Sequence, residues 1–116
     1  MPGLIPTPGS IWLVVAPVDL RRSIDGLSLT VQEVLGEPPG AGSAFVFRNA
    51  RGNRLKVLVW DGTGVWLCQR RLHQGRFVWP KLGEARWLLT EAQWEWLVAG
   101  VDWQRLSAPP PSDWRL

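Results

Sequence analysis

The 116-residue sequence has one cysteine, one histidine, one methionine and no tyrosine. A lone Cys68 excludes an internal disulfide and points to a reducing, cytoplasmic compartment. No apolar run is long enough to span a bilayer. The start, Met1-Pro2-Gly3-Leu4-Ile5-Pro6, has neither the basic opening nor the apolar stretch of a signal peptide, so none is expected. The C-terminal residues carry no lipidation signal. Phosphate loops, dinucleotide fingerprints and zinc-ligand spacings are all missing.

The residues that could do chemistry read as structural. His73 lies in the turn His73-Gln74-Gly75, and Cys68 lies mid-strand, where it reads as a small hydrophobe rather than a nucleophile. Three of the ten carboxylates could in principle hold metal for a nuclease. But Asp19 reads as a helix cap, Asp61 as the first residue of a turn, and Glu91 and Glu95 as exposed helix positions. No enzyme, cofactor or metal is therefore expected.

Two things are abundant. Nine tryptophans exceed what a core of this size absorbs, so some are expected at a surface or interface. Of the thirteen basic residues eleven are Arg, which suits bidentate contact with phosphate or carboxylate. Residues 48–81 hold eight of them against Asp61 alone, a local net charge of +7, while the rest of the chain is at −4.

Glycine and proline gather in 1–10, 36–42 and 107–112. Residues 1–10 are expected to be a flexible arm, 11–105 a single domain, and 106–116 a flexible tail. Ile11–Ala16 is a continuous apolar run and predicts a buried strand. Asp19 then opens a helix whose stripe is Leu20, Ile24, Leu27, Val31, Val34 and Leu35, with Gly36 as its stop. Gly26 inside it would suit a close approach of helix to sheet. Strands are predicted over 44–48, 54–60, 65–72 and 76–79, joined by tight turns into a four-strand antiparallel meander. Residues 85–89 predict a last short strand. Thr90-Glu91-Ala92-Gln93 is a capping box opening a short helix to about Ala99. The expected fold is α+β: an antiparallel meander sheet of about five strands against one long helix, plus a short C-terminal helix.

Alternation within the meander puts Leu55, Val57 and Val59 on one face of their strand and Lys56, Leu58 and Trp60 on the other. One sheet face is thus expected to be aliphatic and helix-covered, the other a mixture of Trp, Lys and Arg. Such a mixture is how a sheet binds nucleic acid: cations neutralise phosphates and flat rings stack on bases. It is equally a protein interface anchored by Trp and Arg, or a solvated face with Arg lying over indoles.

Several segments resemble a known family. Val18-Asp19-Leu20-Arg21-Arg22-Ser23-Ile24-Asp25-Gly26-Leu27 is one. Phe45-Val46-Phe47-Arg48-Asn49, Arg54-Leu55-Lys56-Val57-Leu58 and Trp60-Asp61-Gly62-Thr63-Gly64 follow in order. Arg70-Arg71-Leu72, Gly75-Arg76-Phe77-Val78-Trp79-Pro80 and Gly100-Val101-Asp102-Trp103 complete the set. Together they resemble the TnpB-type accessory protein, the second open reading frame, of IS66-family bacterial insertion sequences. It is unrelated to the RNA-guided nucleases that share the TnpB name. The resemblance implies an accessory role in transposition of a mobile element, beside a separate transposase, with no catalytic residue to carry over.

The sequence reading is therefore a non-enzymatic, DNA-binding accessory factor for transposition, a form of DNA recombination. Arg48, Arg51, Arg54, Lys56, Arg70, Arg71 and Arg76 are expected on phosphates, and Arg21 and Arg22 form a second candidate group. Trp60, Trp66 and Trp79 are expected to stack on bases or line a groove. The alternative is an adaptor that docks onto the transposase without touching DNA. The expected partners are DNA and the element's transposase, with no membrane, and the oligomeric state stays open.

Overall fold

The structure, a computed structural model, describes residues 9–81 and 83–105. The expected tail over 106–116, and all but the last two residues of the expected arm over 1–10, lie outside the described residues. Five strands and two helices follow one another as β1 (Ser10–Val14), α1 (Ile24–Leu35), β2 (Ser43–Arg48), β3 (Arg54–Trp60), β4 (Val65–Arg71), β5 (Arg86–Leu89) and α2 (Glu91–Val98). One 3-10 turn, Trp103–Arg105, comes after them. The strands form a single sheet in the order β4-β3-β2-β1-β5.

The α+β class stands, but the sheet is mixed rather than an antiparallel meander. β1 and β2 are parallel, with Ile11 opposite Ala44 and Leu13 opposite Val46. The cause is the helix between them: a crossover through α1 returns the chain in its original direction, which a tight hairpin cannot do. β2, β3 and β4 are antiparallel hairpins, and β5 closes the far side antiparallel to β1. The predicted strand over 76–79 does not form. That segment lies across a sheet face, where Phe77 is buried and the Trp79 Nε1–H donates to the carbonyls of Val14 and Val15 at 3.1 and 3.0 Å. Its period-two alternation reflects an extended chain packed on a face rather than paired at an edge.

The long helix expected from the sequence is not there: α1 has 12 residues and starts later than its apolar stripe suggests, because the chain over 19–22 forms a turn instead. Asp19 is not its N-cap. The position before the helix is Ser23, whose side chain makes no capping bond. Asp19 instead accepts from the backbone N–H of Arg21 at 3.0 Å, closing a local turn that competes with helix. Gly26 does not meet the sheet; a Cβ there would lie 3.2 Å from the Arg22 Cβ. Gly36 ends α1 at φ 81°, the left-handed conformation glycine adopts without penalty.

Both faces of the sheet are covered. On one, Leu27 and Val31 of α1 pack on Val14, Phe45, Phe47 and Leu58. Burying each of those two side chains contributes roughly 1.5–3 kcal/mol. On the other, Leu13, Val46, Leu55, Val57 and Val59 pack under Phe77, Trp94, Leu97 and Trp103. The aliphatic face of β3 is thus covered by α2 and the C-terminal turn. The longer helix lies over the Lys56–Leu58–Trp60 face, the reverse of the sequence expectation. Helix α2 has the predicted capping box: the Thr90 hydroxyl accepts from the Gln93 backbone N–H at 3.1 Å, and the Gln93 side-chain Oε1 accepts from the Thr90 N–H at 2.9 Å.

Candidate nucleic-acid interface

Strand alternation divides the expected site residues before any contact is considered. Arg54, Lys56 and Trp60 of β3 share a face with Arg71 of β4, whereas Arg70 and Trp66 share the opposite face with Arg48 of β2. No single Trp/Arg platform exists. What the fold does is gather cations at one end of the sheet, where β2 finishes, β3 begins and β4 finishes.

That end is organised by the turn between β2 and β3. The Asn49 side-chain carbonyl accepts from the N–H groups of Asn53 and Arg54, both at 3.1 Å, and its amide donates to Asn53 Oδ1 at 2.8 Å. Leu72 N–H donates to the Asn53 carbonyl at 2.9 Å and Phe77 N–H to the Gly52 carbonyl at 2.8 Å. The chain leaving β4 is therefore stitched to the same turn, and Arg76 lies against Gly52.

A cleft of about 800 Å³ opens here, lined by residues 17–21, 49–50, 54–56 and 69–71. It brings together five of the expected cations, Arg21, Arg54, Lys56, Arg70 and Arg71, against one carboxylate, Asp19. Arg51, exposed in the turn, and Arg76, against Gly52, do not line the cleft. Arg54 and Arg71 are direct cross-strand neighbours and both are exposed. Lys56 Nζ reaches the Arg22 carbonyl at 3.3 Å, tying the start of α1 to β3. Arg70 Nε donates to the Val98 carbonyl at 2.6 Å, capping the C-terminal end of α2.

The one ion pair among the described residues is Arg21–Asp19, bidentate at 2.9 and 3.0 Å. The hydrogen bond from the Arg21 guanidinium, then that from its backbone N–H, holds the Asp19 carboxyl down at about 2. Among the described residues the remaining cleft cations have no carboxylate partner.

Other expected residues lie elsewhere. Arg22 donates to Thr30 Oγ1 at 3.0 Å, along α1. Arg48 is half-buried, with its guanidinium 5.7 Å from the Trp79 ring, and its Nε is buried without a hydrogen-bond partner. Burial pushes its pKa below the usual arginine value.

The indoles are engaged rather than displayed. Trp60 meets Phe45 edge-to-face at 5.9 Å on the α1 side. Trp79 is held by the β1 carbonyls already described. Trp66 is 46% exposed, but its Nε1–H donates to Asp61 Oδ2 at 2.8 Å, at the far end of β4 from the cleft. Asp61 Oδ1 also accepts from Thr63 and Gly64 N–H at 2.9 and 2.8 Å, and these bonds, with that from Trp66, hold its carboxyl at about 2.

Two cleft residues escaped the sequence reading: Gln69, directly opposite Lys56, and Asn49 in the turn. Strand alternation carried the signal for Gln69, which falls on the Arg71 face. Cys68 packs against the core and burial pushes its thiol up, away from reactivity. His73 is exposed. No group of three His, Cys, Asp or Glu among the described residues could hold a metal ion. No described helix is long and apolar enough to cross a membrane.

Trp103 is fully buried, with its Nε1–H on the Val78 carbonyl at 2.7 Å. No solved structure matches the chain. Two uncharacterized proteins of Sinorhizobium fredii are similar to it. The first, y4hO, is 39% identical over 105 residues, covering 90% of this chain and 88% of its own. The second, y4jC, is 36% identical over 100 residues, covering 86% of each. The family model described as "IS66 Orf2 like protein" matches residues 9–108. The chain belongs to the IS66 Orf2-like family, accessory proteins associated with the transposition of insertion sequences.

Proposed function

We propose that this accessory protein binds DNA through the cationic cleft at the end of the β2–β3–β4 hairpins. The observation that carries the reading is the Arg54–Arg71 pair. Two arginines stand directly opposite each other on neighbouring strands, exposed, with no carboxylate between them. Like charges in that position oppose sheet formation. A conflict of this kind within an otherwise consistent fold is expected where a polyanion completes the site. Arg21, Arg54, Lys56 and Arg71, from three separate segments, then supply the charge that phosphates neutralise. The protein contributes no reaction chemistry; it holds DNA where the transposase acts.

The test is a binding titration with DNA over a range of salt. With about five phosphates engaged, log affinity falls against log salt with a slope of about −4.5 on duplex. Salt-independent binding, or none, refutes the proposal.

A second reading rests on the sheet edges. Trp66 and Leu67 on β4, and Trp87 and Leu88 on β5, are exposed apolar residues on the two outermost strands. Edge strands with exposed apolar side chains suit a protein partner. Here the protein is an adaptor for the transposase, and Trp66→Ala abolishes transposase capture while the fold persists. Undiminished capture by that variant rejects this reading.

A further inference from the structure

The cleft separates two functions that the sequence had joined. Single-stranded nucleic acid is held by cations along its backbone and by aromatic side chains on which successive bases stack. The cations are here, but no tryptophan or phenylalanine lines the cleft. The three indoles expected to stack are committed elsewhere: Trp60 to Phe45, Trp79 to the β1 carbonyls and Trp66 to Asp61. The most exposed of them, Trp66, lies five residues along β4 from Arg71, about 17 Å at the rise of a strand. That span is too long for a base whose own phosphate sits in the cleft.

The lining also says little about base-edge readout. Five of its eight polar side chains are cations, which bind phosphate as charges or forks, and two, Asn49 and Gln69, are amides. Arg70 is turned toward the end of α2 by its bond to Val98, and the exposed Arg21 guanidinium is forked onto Asp19. The Asn49 amide is consumed within its own turn.

We infer that the ligand of this cleft is duplex DNA, gripped through its phosphate backbone with neither base stacking nor a preferred sequence. Resting on the DNA-binding reading above, this names the strand state and the mode of contact. Duplex is favoured because its two backbones present phosphates at twice the linear density of a single strand, and nothing in the cleft repays a single strand with stacking.

The experiment uses the full chain and labelled oligonucleotides of about 20 nucleotides: a duplex, its two separated strands and a duplex of scrambled sequence. Anisotropy titrations are run between about 50 and 200 mM salt, with intrinsic tryptophan emission followed in parallel. The expected result is duplex binding about tenfold tighter than either strand, unchanged on scrambling, and weakened about 500-fold across that salt range. Tryptophan emission stays constant, Trp66→Ala binds as the parent does, and Arg54→Gln with Arg71→Gln loses most of the affinity.

Equal or tighter binding to single strands overturns the inference, as does quenching of tryptophan on binding or a loss of affinity in Trp66→Ala. Each of these leaves DNA binding itself standing. A more than tenfold preference between the two duplexes also overturns it. Absence of binding to every oligonucleotide refutes the DNA-binding reading instead.

Discussion

Replacing Arg71 with glutamine should stabilise the protein while weakening its grip on DNA. Arg71 faces Arg54 directly across the β3–β4 pair, at the outer edge of the sheet. Like charges directly opposite on an antiparallel pair cost roughly 0.2–1 kcal/mol. Coulomb's law agrees in size: unit charges about 8 Å apart in water repel by about 0.5 kcal/mol. At physiological salt, where the screening length is about 8 Å, roughly 0.2 kcal/mol of that survives. Urea unfolding followed by circular dichroism should therefore show Arg71→Gln more stable than the parent by about 0.5 kcal/mol in low salt, the difference shrinking as salt rises. Arg54→Gln should give nearly the same gain. The double variant should add little, because either single change removes the one repulsion. In parallel, the salt dependence of duplex binding should flatten by about 0.9 per arginine removed. A variant that is destabilised at low salt would show that Arg71 supports the sheet. One that binds with an unaltered salt slope would show that it touches no phosphate. Either result refutes the reasoning.

Asp19→Asn removes the carboxylate that clamps Arg21, so duplex affinity should rise severalfold in the same titration; a fall would mean the clamp itself presents the site. Trp103→Ala empties a fully buried ring position and orphans the Val78 carbonyl, so it should cost about 3–5 kcal/mol and lower the melting temperature by well over 10 °C. Trp103→Phe should recover most of that loss. The Asp61 carboxyl is held at about 2, below its unfolded value of 3.8, so the stability it contributes is complete above pH 4 and disappears as pH falls toward 2. Asp61→Asn should flatten that part of the pH–stability profile and shift the emission of Trp66, which loses its acceptor.

Much of the local structure follows from residue order. Arg54–Trp60 forms the strand its alternation demands, Thr90 and Gln93 form the capping box their spacing allows, and Gly36 ends α1. These features are settled within a few residues of chain, where propensity and hydrogen-bonding geometry act directly. The excess of arginine over 48–81 was legible in the same way.

Three things needed the tertiary structure. Pairing decided that β1 lies beside β2 and that residues 76–79 fold over a face instead of joining it. Packing decided the fate of the tryptophans: Trp103 fills the core, while Trp60 and Trp79 are half-buried under contacts that no local pattern encodes. Finally, the charged site is a property of space. Successive strand residues point to opposite faces, so a basic stretch of chain splits across the sheet. Only the closing of β3 on β4, with the turn before α1 folded beside them, sets Arg21, Arg54, Lys56 and Arg71 around one cleft.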